Sequence, residues 1–391
     1  MAGAGPRTGS PVALLTPALR ADHQRPDVHA NRRHRGCLDD LPPETPGGER
    51  NWDYRFSWIR DSTFTLQALH WLNLDWEAEE FMQFIAELEP NKDGSLQIMY
   101  GIDGRLDLTE STRDELTGYV GARPVRIGNG AFDQRQNDVY GAALDSVLLH
   151  TRRSNRLPRA LWPIVQTQAE CATKVWRQPD QGIWEARGAP QHYVSSKLMC
   201  WVALDRAAKL AEIRGDSGLG ENWRVIAEEI REDILTDGLK KGVLRQHYET
   251  EALDASTLLA AIFGFLPSDD ERLHASVLAI ADELTENGFV LRYRTEETDD
   301  GLSGKEGTFL ICSFWLVSGL AIIGQGQRAR DLMERLLRIA SPLGLYAEEF
   351  DTETGQHLGN FPQAFSPTLP SLKRPPASSS RKGWRSTREQ L

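Results

Sequence analysis

Three of the chain's 56 acidic residues are set apart by what flanks them. Asp61 lies in WIRDS, Glu185 in GIWEARG and Glu348 in LYAEEFD, each in a loop beside aromatic or basic residues. A carboxyl group pressed against indole and aliphatic carbon is poorly solvated as an anion, so it keeps its proton near neutrality. That is what a general acid requires. A second carboxylate, better solvated or hydrogen-bonded, stays ionised and can deprotonate a water. Paired carboxylates in opposed environments are the machinery of glycoside hydrolysis. Singly, each signal has a plain structural reading. Most glutamates are solvated surface groups, WIRDS also fits a structural Arg–Asp pair or a helix N-cap, and AEEFDTETG fits a loop with a spare charge. His192, near the Glu185 loop, has no Ser or Cys motif beside it and reads as structural.

The elements that must hold these loops are helices. From about residue 57 to 340 apolar residues recur at three-to-four spacing in ten runs, arranged as five consecutive pairs. Within most pairs one run is apolar throughout, as in TFLICSFWLVSGLAII. Its partner is amphipathic, as in QRARDLMERLLRIA. Buried helices inside an outer ring with one wet face produce that contrast. No repeat of fixed period supports an open solenoid. The expectation is an all-α closed toroid of helical hairpins. Two long non-helical stretches, 92–134 and 290–307, interrupt it and should lie on one rim as binding apparatus.

Composition excludes several classes of function. A net charge of −11 argues against a general nucleic-acid binder. Eleven Trp and eight Tyr offer faces for sugar rings, although the same residues serve equally well in a core. The four cysteines, Cys37, Cys171, Cys200 and Cys312, show no CxxC spacing, which points to no zinc site or disulfide framework and to a reducing compartment. Cys200 and Cys312 fall within apolar helices and read as core thiols. Neither a signal peptide nor a run of ~18 apolar residues is legible, so a cytoplasmic protein with no membrane partner is expected.

The motifs NWDYRFSWIRD, QIMYGIDGR, GARPVRIGNGAFDQ, GIWEARG, LDAS, DGLSGKEGTFLICSFWLV, LYAEEFD and GNFPQAF, in this order, resemble the glucoamylase-type glycoside hydrolase family 15 over about residues 43 to 366. The resemblance implies an (α/α)6 toroid of the six-hairpin glycosidase type that removes glucose with inversion and needs no metal or organic cofactor. It makes Glu185 the general acid and Glu348 the general base. Chemistry alone does not choose between Glu348 and Glu349; the family motif selects the first. Arg60 and Asp61 match the pair that binds the terminal glucose, and Trp58 stands beside them. Trp184 is expected to stack on sugar, Arg292 to lie toward the leaving group, and Gln363 near the pocket floor. An inverting pair should stand about 6.5–9.5 Å apart.

The resemblance first suggests an exo-acting α-glucosidase, glucan 1,4-α-glucosidase-like, on oligosaccharide ends. A disaccharide-cleaving α,α-trehalase of the same family is the near alternative. An inactive remnant, or a sugar-binding toroid without turnover, is the alternative from another class. Oligomeric state is not legible. Residues 1–42 do not resemble the family, and 367–391 are rich in Pro, Ser and basic residues, so both are expected to be disordered and the toroid to lack its first and last helices. One-base shifts of reading frame at both ends would account for this.

Overall fold

The computed structural model describes residues 43–71, 74–302 and 306–363. The expectations for the two ends, and for the first and last helices of the toroid, lie outside those residues. Ten α-helices are present among the described residues and form five hairpins: α1 (Ile59–Trp71) with α2 (Asp75–Glu87), α3 (Asp138–Ser154) with α4 (Leu161–Val175), α5 (Val194–Arg214) with α6 (Ser217–Asp237), α7 (Leu259–Ile262) with α8 (Glu271–Glu283), and α9 (Leu310–Ile322) with α10 (Gly326–Ile339).

The contrast between partners is the one expected. In α9 every residue from Leu310 to Leu320 is buried, whereas α10 buries only Ala329, Leu332 and Leu336, one stripe at helical spacing. Likewise α5 is buried along most of its length, and α6 buries Gly220, Trp223, Ala227, Ile230 and Ile234. Local chemistry sets the hairpin corners. Gly215, in the left-handed conformation at φ 86°, ends α5, and Asp216 caps α6 by accepting from the Leu219 amide. Asp270 caps α8 in the same way through the Arg272 amide.

The inner helices pack on one another in chain order. Thr63 of α1 donates to the Ala142 carbonyl of α3 at 3.2 Å. Gly141 lets α3 approach α5 so closely that an added Cβ would stand 2.4 Å from the Met199 carbonyl oxygen. Arg206 of α5 reaches the Phe263 carbonyl just past α7 at 3.1 Å. Phe64 of α1 and Trp315 of α9 meet with ring centroids 5.5 Å apart.

Helical periodicity misplaces three boundaries. Phe56–Trp58 form strand β1, paired with β2 (Met99–Gly101), although the apolar run reads as helix from Phe56. Similarly Thr308–Phe309 form a strand ahead of α9, paired with Glu349–Phe350, which pairs in turn with His357–Leu358. The run 254–266 is shorter as helix than expected, because Gly264 at φ 70° turns the chain. Both misread strands enter inner helices, and both fix candidate residues. No helix among the described residues is long and apolar enough to cross a membrane.

Candidate active site

Hairpins that alternate direction bring the N-terminal ends of the inner helices to one rim. A partly enclosed cleft of about 990 Å³, counting its open mouth, lies there. All eight candidate residues line it: Trp58, Arg60, Asp61, Trp184, Glu185, Arg292, Glu348 and Gln363. The two long loops meet on it as expected, 92–134 through Asn129 and Ala131, and 290–307 through Arg292, Tyr293, Asp300 and Glu306.

Glu185 sits in the loop leading into α5, with its own backbone in the left-handed region at φ 60°. For a residue with a Cβ this conformation costs about 1–2 kcal/mol, and it is held by the surrounding contacts. Gly182, at φ 70°, makes the turn possible: a Cβ there would stand 2.8 Å from the Tyr193 ring. The Glu185 carboxylate receives the Trp58 indole N–H at 2.7 Å and Arg60 at 3.3 Å. Burial pushes its pKa up, and the Arg60 charge, then the Trp58 hydrogen bond, work against that rise. Trp184, the preceding residue, is anchored edge-on to Phe309 at 5.5 Å, and Asp254 accepts its indole N–H at 3.0 Å.

Arg60 is shared among carboxylates. It pairs with Asp61 at 3.0 Å and Asp138 at 3.6 Å as well as Glu185, and donates to the Ile183 carbonyl at 2.7 Å. Asp61 therefore stands as a structural Arg–Asp pair that also faces the cleft, in the first turn of α1.

On the far wall, Glu348 immediately precedes the strand Glu349–Phe350. Its amide donates to the Asn360 carbonyl at 2.8 Å, and its carboxylate accepts from the Asn360 amide at 3.1 Å. Tyr54 makes a further hydrogen bond to that carboxylate. Of the two environments expected for the second carboxylate, better solvated or hydrogen-bonded, the structure shows the hydrogen bonds and corrects the solvation. Glu348 is buried, which pushes its pKa up to about 8, and the Glu44 carboxylate adds to the rise while Arg292 opposes it. Glu349, which chemistry alone left as an equal candidate, turns away from the cleft. It is fully buried, accepts from Arg292 at 2.7 Å and from the Gly307 amide at 2.9 Å, and locks the strand on which Glu348 rides.

Arg292 reaches the cleft already engaged by Glu306 at 2.8 Å, Glu349 at 2.7 Å and Glu44 at 3.2 Å. Gln363 accepts from Asn360 at 2.6 Å, bracing the base-side loop. Tyr54, Glu44, Asp254 and Asn360 were not among the expected residues. Tyr54, Asp254 and Asn360 fall inside quoted motifs (NWDYRFSWIRD, LDAS, GNFPQAF), but nothing in their spacing shows what they touch.

Gly359 closes on Glu348 from behind: a Cβ there would meet the Glu348 Oε2 at 2.9 Å and its Cβ at 3.1 Å, at φ 69°. Gly359→Ala is therefore expected to displace this carboxylate and lower kcat roughly 10²-fold with little change in KM, checked by steady-state kinetics.

The chain resembles known proteins over most of this fold. A protein from Mycolicibacterium smegmatis named "Trehalase" is 60% identical over 328 residues, covering 83% of this chain and 49% of its own length. A Mycobacterium tuberculosis protein of the same name is 59% identical, covering 83% of this chain and 48% of its own. The chain thus spans about half the length of the curated relatives it matches. A bacterial glucoamylase solved in complex with acarbose superposes with a TM-score of 0.65 at 14% identity, over 86% of this chain and 51% of that one, which shows the (α/α)6 toroid fold. The relatives' names overturn the first expectation, an exo-α-glucosidase acting on glucan ends. The motifs behind it line one cleft and fit either reading, so they do not choose between the two. The family model described as "Glycosyl hydrolases family 15" matches residues 28–369, and the chain belongs to that family.

Proposed function

We propose that this cleft hydrolyses α,α-trehalose with inversion, Glu185 acting as general acid and Glu348 as general base. The observation that carries the reading is the placement of two carboxylates on one cleft, Glu348 buried and Glu185 partly buried, each held by its own partners, in a chain 60% identical to a protein named trehalase. Tyr54, which holds Glu348, and Trp58, which holds Glu185, lie on one extended segment with ring centroids 6.3 Å apart.

In the reaction, Arg60 and Asp61 bind the hydroxyls of the cleaved glucosyl unit through charge-assisted hydrogen bonds. Glu185, its proton retained by burial, protonates the bridging oxygen as the C1–O bond breaks. Glu348 takes a proton from the water that attacks C1 from the opposite face. The glucosyl half leaves as β-glucose and the leaving half as α-glucose. Trp184 and Trp58 keep competing water from the acid.

A side-by-side assay of glucose release from trehalose, maltose, maltotriose and isomaltose tests the reading. Trehalose is expected to be cleaved with the highest kcat/KM, giving equal amounts of the two anomers in the first NMR spectra. Faster cleavage of maltose or maltotriose would overturn the substrate, and α-glucose alone would overturn inversion.

A further inference from the structure

Behind the base, five carboxylates gather around two guanidinium groups. Glu44, Glu306 and Glu349 surround Arg292, Asp300 and Glu306 hold Arg50, and Glu348 completes the set. Carboxylates outnumber guanidinium groups, and ion pairs hold most of them in place. Glu44 is different in its placement. It is buried, faces the cleft, and accepts the Tyr54 hydroxyl at 3.0 Å, the same hydroxyl that hydrogen-bonds Glu348. One phenol thus bridges two carboxylates. A tyrosine carries a single hydroxyl proton, so the two carboxylates compete for it, and whenever Tyr54 donates to Glu44 the Glu348 anion goes without that donor.

We propose that Glu44 is a positioning residue for hydrolysis, its negative charge and its grip on the Tyr54 hydroxyl holding Glu348 as a strong and correctly aimed base. The inference rests on Glu348 being the general base. A like charge on the other side of a shared hydroxyl disfavours a second anion, so the proton drawn from the attacking water is bound more firmly by Glu348 than by an isolated glutamate. Tyr54 stands between the two groups, and the Asn360 amide, at 3.1 Å, holds the Glu348 carboxylate in place. Glu44 is held in turn from two sides: Arg292 takes its other oxygen at 3.2 Å, and its amide donates to the Arg50 carbonyl at 3.1 Å. The charged and titratable groups facing Glu348 are Glu44 and Tyr54 from the 43–55 segment, Arg292 from the 290–307 loop, and Glu349 on its own strand, with Glu306 beyond Arg292.

The experiment is the pH dependence of kcat/KM with α-glucosyl fluoride. Fluoride departs without protonation, so the acid-side limb reports the base and not Glu185. Glu44→Gln removes the charge and also frees Arg292 to favour the Glu348 anion. Both changes make that anion easier to form, so the midpoint should move to lower pH by about one pH unit or more, with a fall in kcat. A loss of rate with an unmoved midpoint would mean a merely structural role and would overturn the proposal. If Glu44→Gln gives no soluble enzyme, Glu44→Asp decides: it keeps the charge but withdraws it by one methylene, so the midpoint should fall by a fraction of a unit, and no movement overturns the idea. An enzyme that hydrolyses the fluoride but not trehalose would refute the substrate reading and leave this test intact. Full activity in Glu348→Gln would refute the base assignment instead.

Discussion

Glu185→Gln is expected to lower kcat/KM on trehalose by about 10³–10⁴-fold while leaving hydrolysis of α-glucosyl fluoride within roughly tenfold of the parent enzyme. On the proposed mechanism the two substrates would place the same glucosyl unit against Arg60 and Asp61, and they differ in whether the leaving atom must be protonated. A sugar oxygen must be, and fluoride need not be. The amide keeps the shape of the carboxyl group and an oxygen that can still accept the Trp58 indole N–H, now at 2.7 Å from Glu185 Oε1. The left-handed turn at Glu185 and the Gly182 contact with the Tyr193 ring do not depend on charge, so the loop should hold. Arg60 loses one of its carboxylates but keeps Asp61 and Asp138, and burial of a neutral amide is easier than burial of an anion. The thermal melt should therefore stay near that of the parent. Equal loss on both substrates would show that residue 185 shapes the cleft and does not deliver a proton, and unchanged trehalose cleavage would remove it from the mechanism.

Much of this site is legible in the chain because its chemistry needs local sequence. An acid behind Trp184 with Gly182 at the turn, and Arg60 beside Asp61 at a helix start, are neighbours in sequence as well as in space. The helices are legible for the same reason: α9 and α10 differ in which faces meet water, and that difference is written at a spacing of three to four residues. What stays hidden is set by contacts across the fold. AEEFD reads as a wet loop, yet Glu348 is buried because the strand it precedes pairs on both sides, and Arg292, 57 residues before Glu349, ties that strand down. Glu44 meets Arg292 across 248 positions, and no local pattern marks it. The strands at Phe56–Trp58 and Thr308–Phe309 escape notice because two or three buried residues in a row fit a helix as well as a strand. The leaving-group side fares worst. The two long loops that line the cleft have no periodicity to read, so the choice between glucan and trehalose turned on relatives and not on residues.

Glu348→Gln should remove turnover of trehalose and of the fluoride alike, by about 10³-fold or more, because both need an activated water. The same substitution is expected to make the protein more stable, increasingly so as pH rises above about 5. The sign follows from the direction of the shift. Burial raises the Glu348 pKa from an ordinary 4.5 to about 8, so between those values the folded chain binds a proton that the unfolded chain has released. That proton stabilises the fold fully below pH 4.5, and its contribution is lost as pH rises through 8. Above that point the folded protein carries a buried anion beside Glu44, while glutamine at this position carries none. The Tm of the variant should therefore match the parent near pH 4, climb above it between pH 5 and 8, and stay several degrees higher at pH 9, a gap on the order of several kcal/mol. A base placed where its anion is unstable is a strong base, so on the proposed mechanism the group that weakens the fold at high pH would also be the one that draws a proton from water. A variant that is inactive on both substrates but melts in parallel with the parent at every pH would mean that Glu348 is an ordinary solvated carboxylate, and a weakly basic one.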